Sequence, residues 1–161
     1  MTRFALALLL LASPAAAQTP ATPSLIPWPA SFRADTGRWM PGRAVIVTGP
    51  AGATAEARHL AALTRTTLQE SFGIPARVAA AGQRADVTVR IRPGPDSLRE
   101  SYALTVRPGG VSIEARGGAG VFYALQTLRQ LAASPGNGAG KGLPAVTIAD
   151  RPRFSWRGLH L

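Results

Sequence analysis

A chain of 161 residues with 46% hydrophobic side chains is long enough for one domain with its own core. The absence of cysteine excludes disulfides, thiolate metal sites and an acylated N-terminal cysteine. The formal charge of +10 is carried by 17 arginines and the single lysine Lys141, but Arg33, Arg38, Arg43 and Arg58 stand singly rather than in a run, which favours a solvated basic surface over a nucleic-acid interface.

In chain order, Thr2 and Arg3 make a short basic start, and Phe4 to Ala12 is an apolar run too short to span a bilayer. Ser13 to Ala17 supplies the small residues of a cleavage site. Residues 1–17 therefore read as a secretory signal peptide cut between Ala17 and Gln18, which predicts a periplasmic or secreted protein with no membrane attachment after cleavage. Residues 18–24 form a Pro/Ala/Thr linker. Leu25-Ile26-Pro27-Trp28-Pro29 is expected to be extended, with Trp28 as its anchor.

Arg43 to Thr48 is a β-branched run closed by Gly49-Pro50 and predicts a strand. Thr54 can cap a helix whose apolar positions Ala57, Leu60, Ala61, Thr64, Leu68 and Phe72 recur at helical spacing until Gly73 stops it. Ala76 to Ala79 is a short extended piece, and Asp86 to Arg92 alternates as a strand. Ser101–Arg107 and Gly110–Arg116 read as two strands joined by a hairpin turn at Pro108-Gly109. Val87, Val89 and Ile91 present an apolar face that matches that of Tyr102, Leu104 and Val106. A second helix begins within Gly117-Gly118-Ala119-Gly120 and runs to about Ala132 on the stripe Val121, Ala124, Leu125, Leu128 and Leu131. Ser134 to Gly142 is a Gly-rich loop expected to be flexible, and Leu143 to Ala149 returns as a strand. The order β-α-β-β-β-α-β, with one apolar stripe per helix, predicts an α+β domain over residues 25–149, a mixed β-sheet with two helices on one face. From Asp150-Arg151-Pro152 the chain turns into residues 154–161, which alternate like a strand just beginning.

The candidate chemistry is sparse. Gly117 to Gly120 lacks the third glycine of a dinucleotide fingerprint, since Phe122 stands there, and no Gly-Lys-Ser/Thr follows. Close helix–sheet packing explains these glycines better than a phosphate cradle. His59 and His160 belong to no metal-binding motif, so no metal site and no cofactor are expected. The eight carboxylates Asp35, Glu56, Glu70, Asp86, Asp96, Glu100, Glu114 and Asp150 are dispersed, and no Gly-x-Ser-x-Gly elbow is present. No catalytic residue is therefore assigned.

Three segments together resemble one family: Leu25 to Pro29; Tyr102 to Leu131, ending in Gln126-Thr127-Leu128-Arg129-Gln130-Leu131; and Asp150-Arg151-Pro152-Arg153-Phe154-Ser155-Trp156-Arg157-Gly158. They are similar to the N-terminal accessory domain, and the junction that follows it, of the family 20 glycoside hydrolases, the β-N-acetylhexosaminidases. The resemblance implies that residues 150–161 start a catalytic (β/α)8 barrel, with residues 154–161 its orphaned first strand. It implies that Arg157 is the substrate-binding arginine that donates to hydroxyls of a terminal N-acetylhexosamine, and that the catalytic Asp-Glu pair lies in a barrel this chain does not contain. The partners it implies are an N-acetylhexosamine-containing oligosaccharide, for the whole enzyme, and the missing barrel, with no nucleic acid. The expected function is thus the secreted N-terminal fragment of a hexosaminidase, inactive by itself. Two rival readings are a self-contained, non-catalytic secreted binding module and, less well supported by the scattered arginines, a basic nucleic-acid-binding protein.

Overall fold

A computed structural model describes residues 23–154, apart from residues 53, 81–82 and 96–97. The expected signal peptide, most of the linker, Arg157, His160 and the expected barrel strand beyond Phe154 lie outside the described residues.

The elements are β1 (Ser31–Trp39), β2 (Val45–Thr48), α1 (Ala55–Phe72), β3 (Ala76–Val78), β4 (Val87–Ile91), β5 (Tyr102–Arg107), β6 (Gly110–Ala115), α2 (Gly118–Ala133) and β7 (Leu143–Asp150). They form a seven-stranded mixed sheet in the order β1-β7-β5-β6-β4-β2-β3. β2 pairs parallel with β3 and β4, and β4 parallel with β6. β5 pairs antiparallel with β6 and β7, and β1 antiparallel with β7. Both helices serve as crossovers: α1 links the parallel neighbours β2 and β3, and α2 carries the chain from β6 over β5 to β7.

Strand alternation sends Val87, Val89, Leu104, Val106, Val111, Ile113, Val146 and Ile148 into the core beneath the helices. Thr88, Thr105, Ser112 and Thr147 fall on the opposite, half-buried face. From the helix side come Leu60, Leu68 and Phe72 of α1 and Val121, Leu125, Leu128 and Leu131 of α2. Each large aliphatic or aromatic side chain sealed in this layer is worth about 1.5–3 kcal/mol. Phe72 also meets Trp39 of β1 edge-on at 5.3 Å. The two helices lie against one another, and Arg129 of α2 pairs with Glu70 of α1.

Local chemistry sets the helix ends. The Thr54 hydroxyl accepts the Ala57 N–H at 3.0 Å, and Gly73 closes α1 in the left-handed region at φ 65°, its N–H returning to the Gln69 carbonyl. α2 starts at Gly117 with no side-chain cap. Its glycines have a packing reason, as expected: a Cβ on Gly120 would collide with the Ser101 carbonyl and reach within 3.1 Å of the Ala115 methyl.

The structure departs from the sequence reading in three places. The whole of β1 joins the expected set, while the short extended piece expected at Ala76 to Ala79 is β3. β1 is a polar edge strand, whose register shifts between Ala34 and Arg38. The matching apolar faces of β4 and β5 do share the helix-facing side, with β6 lying between the two strands. Trp28 is not the anchor of its segment, since it is 49% exposed against the Phe32 ring whereas Leu25 is buried. The Gly-rich loop is pinned rather than free. Arg38 donates to the carbonyls of Gly136 (2.9 Å) and Lys141 (2.7 Å) and to the Asn137 side chain (2.9 Å), while Gly136, Gly138, Gly140 and Gly142 take positive φ.

Candidate functional site

α2 presents a second stripe beside its buried one. Tyr123, Gln126, Thr127 and Gln130 follow at three- and four-residue steps, so they share a face that the sheet does not cover. Against that face runs the N-terminal segment from Leu25 to Ala30, and beside both the chain leaves β7 through Asp150 to Phe154. The three pieces enclose a groove of about 680 Å³.

Side-chain-to-backbone hydrogen bonds fix the groove's walls. Gln130 Oε1 accepts the Ile26 N–H at 2.7 Å, and its Nε2 donates to the Ile26 carbonyl at 3.0 Å. One turn further on, the Ser134 hydroxyl accepts the Ser24 N–H at 3.1 Å while donating to the Gln130 carbonyl. At the other end of the strap, Asp150 Oδ1 accepts the Ala30 N–H at 3.0 Å. The strap therefore uses side-chain partners in place of a sheet ladder, which suits a segment carrying two prolines. The Ile26–Pro27 bond is cis.

Beneath the strap, Tyr102 is buried, and its hydroxyl shares a 2.6 Å hydrogen bond with the Thr127 hydroxyl. Burial pushes the phenol above its ordinary value of 10.0; the Thr127 hydrogen bond acts the other way, and the Asp150 charge raises it further. Asp150 stands opposite Tyr102 in the β5–β7 ladder. A phenol held neutral in this way fastens β5 to α2 and is poorly placed to exchange protons.

Above this polar floor the groove is apolar and open. Ile26 is 80% exposed and Phe154 70%, with Trp28 and Tyr123 also exposed. Aromatic rings on a hydrogen-bonded base are the composition of a packing surface. Among the described residues, no group of three or more His, Cys, Asp or Glu is close enough to hold a metal ion. His59 is exposed on α1, and no described helix is long and apolar enough to cross a membrane. Arg157, the one assigned substrate contact, lies outside the described residues; the junction that leads to it, Asp150 to Phe154, forms one wall of the groove. Thr127 and Gln130 stand inside a motif visible in the sequence, but their roles are not, since each acts on a segment far away in the chain.

The comparisons with known proteins agree with this architecture. The family model described as glycosyl hydrolase family 20, domain 2, matches residues 22–151. A β-N-acetylhexosaminidase of Cellulomonas fimi is 38% identical over 91 residues, covering 55% of this chain and 18% of its own length. A β-hexosaminidase of Akkermansia muciniphila is 43% identical over 60 residues, 37% of this chain and 12% of its own. Among solved structures, the Streptomyces plicatus N-acetyl-β-hexosaminidase in complex with Thio-NAglucal superposes with a TM-score of 0.66 at 30% identity, over 86% of this chain and 29% of that one. A variant of the same enzyme in complex with the product GlcNAc gives 0.68. The chain thus spans less than a third of the length of each of these proteins.

Proposed function

We infer that this chain, which belongs to glycosyl hydrolase family 20, is the N-terminal accessory portion of a secreted β-N-acetylhexosaminidase and has no turnover of its own. The observation that carries this reading is the match of the glycosyl hydrolase family 20, domain 2, model to residues 22–151, alongside hexosaminidases several times longer. In this reading residues 1–17 are the signal peptide, 18–24 a linker, 25–149 the accessory domain, and 150–161 the entry to a (β/α)8 barrel whose first strand is residues 154–161. The whole enzyme removes terminal non-reducing N-acetylhexosamine units by substrate-assisted retention, a departure from the two-carboxylate scheme in which the substrate's own acetamido oxygen attacks the anomeric carbon.

Within that enzyme the domain's work is positional. The groove bordered by Trp28, Tyr123 and Phe154 is the surface on which the barrel seats, and Asp150 ties the strap to the strand from which the barrel departs. Arg157, seven residues beyond Asp150, then brings a guanidinium with several donors to the sugar hydroxyls. Structures of the family relative with GlcNAc support a saccharide as the ligand. The test is kinetic: in the longer protein, Arg157→Ala should raise KM for a chromogenic N-acetylglucosaminide roughly tenfold or more, the cost of losing charge-assisted hydrogen bonds. Unchanged kinetics in that variant would remove Arg157 from the substrate site.

A further inference from the structure

A second cavity, of about 450 Å³, lies at the end of the sheet beyond the strap. Its floor follows from register. Ser31 of β1 stands opposite Ala149 of β7, Ala149 opposite Ala103 of β5, and Ala103 opposite Glu114 of β6, on the sheet face turned away from the helices. Three adjacent strands thus offer only a hydroxymethyl and two methyl groups. Strands lie about 4.8 Å apart, so these small side chains leave a trough about 10 Å across, next to the longer Glu114 side chain on β6.

Three guanidiniums rim this trough: Arg92, Arg116 and Arg151. Arg92 is already engaged with Glu114, at 3.3 Å and 3.4 Å. Among the described residues, Arg116 makes one long hydrogen bond, 3.4 Å to the Arg92 carbonyl. Arg151 forms no hydrogen bond or ion pair among the described residues. The other rim carboxylate, Asp150, is turned to the Ala30 N–H. Two exposed, fork-shaped cations beside a flat, small-residue floor have the charge and donor geometry to hold an oxyanion.

We propose that this trough binds a small anionic saccharide, its ring lying on the Ala103 and Ala149 methyls and its oxyanion, a carboxylate or a phosphate, held by Arg116 and Arg151. Among the described residues no aromatic ring lies beside Ala103 and Ala149 on the floor, so charge carries the affinity and the neutral face of the ring only selects for size.

Calorimetric titration of the 161-residue chain tests it with three probes: glucuronate, glucose 6-phosphate and N-acetylglucosamine. At least one anion should bind while the neutral sugar does not, and the tighter of the two identifies the oxyanion. In the Arg116→Ala/Arg151→Ala variant the affinity for that anion should fall about tenfold or more. The charge-matched Arg43→Ala/Arg107→Ala variant, on residues outside the trough, should bind as the unmodified chain does, with unfolding midpoints showing that all three proteins are folded. Absence of binding by both anions, equal binding of the neutral sugar, equal loss in the charge-matched control, or undiminished binding by the Arg116/Arg151 variant would each overturn the proposal.

Discussion

Gln130 closes both polar groups of the Ile26 backbone with one side chain, accepting its N–H at 2.7 Å and donating to its carbonyl at 3.0 Å across 104 residues of sequence. This amide works as a substitute strand. It satisfies a proline-flanked segment that no sheet edge receives, and it holds that segment over α2 at the point where the chain leaves β7.

Replacing Gln130 with Ala should therefore release the strap. Two partly exposed hydrogen bonds are lost, and the expected cost is about 1–2 kcal/mol. For a domain of this size that lowers Tm by roughly 3–8 °C. Hydrogen exchange at the Ser24 and Ile26 amides should accelerate more than the global loss of stability accounts for. Gln130→Glu keeps the acceptor and removes the donor, so it should fall between the two.

Tyr102 gives the fold a defined alkaline limit. Its phenol is held above 10.0 by burial and by Asp150, against the lowering effect of the Thr127 bond, so the folded state keeps this proton more tightly than the unfolded chain does. The stability it contributes is fully present below pH 10 and is lost as pH rises through the raised folded value. Urea unfolding from pH 8 to pH 11 should show a steeper alkaline decline for the unmodified chain than for Tyr102→Phe. At neutral pH the same variant should lose about 1 kcal/mol with the Thr127 bond. Parallel declines for the two proteins would contradict the assigned shift.

The glycines at the start of α2 separate close packing from mere flexibility. A Cβ on Gly120 meets the Ser101 carbonyl and the Ala115 methyl, so Gly120→Ala must push α2 off the sheet, at about 1–3 kcal/mol. A Cβ on Gly118 meets instead the Glu56 carboxylate, the mobile end of an exposed side chain, and Gly118→Ala should be near neutral. Denaturant midpoints of the two variants should differ clearly, with Gly120→Ala the lower.

Much of this fold was legible because its signals are local. Thr54, Gly73 and the two apolar stripes announce the helices, and Pro108-Gly109 announces the hairpin. β1 was not legible, because an edge strand of Arg33, Asp35, Gly37 and Arg38 shows little apolar alternation and draws its order from β7. There Asp35 accepts from its near neighbour Arg33, at 2.6 Å, and from the Thr147 hydroxyl, at 2.9 Å, the second a contact that only the folded sheet assembles. Strand neighbours were hidden for the same reason: equal apolar faces on β4 and β5 say which way each strand faces and nothing of what lies between them. At the groove, the letters of the Gln-Thr-Leu-x-Gln-Leu motif were visible. The strap that Gln130 grips and the phenol that Thr127 meets became visible only with the chain's path.

The central claim is that these residues support a hexosaminidase without carrying its chemistry. The most direct measurement is the release of chromophore from an N-acetylglucosaminide by the purified 161-residue chain, with its folding verified by thermal unfolding. The expected result is no turnover above the buffer blank at any enzyme concentration. Turnover that rises with the concentration of this chain, and disappears when the chain is heat-unfolded, would contradict the account.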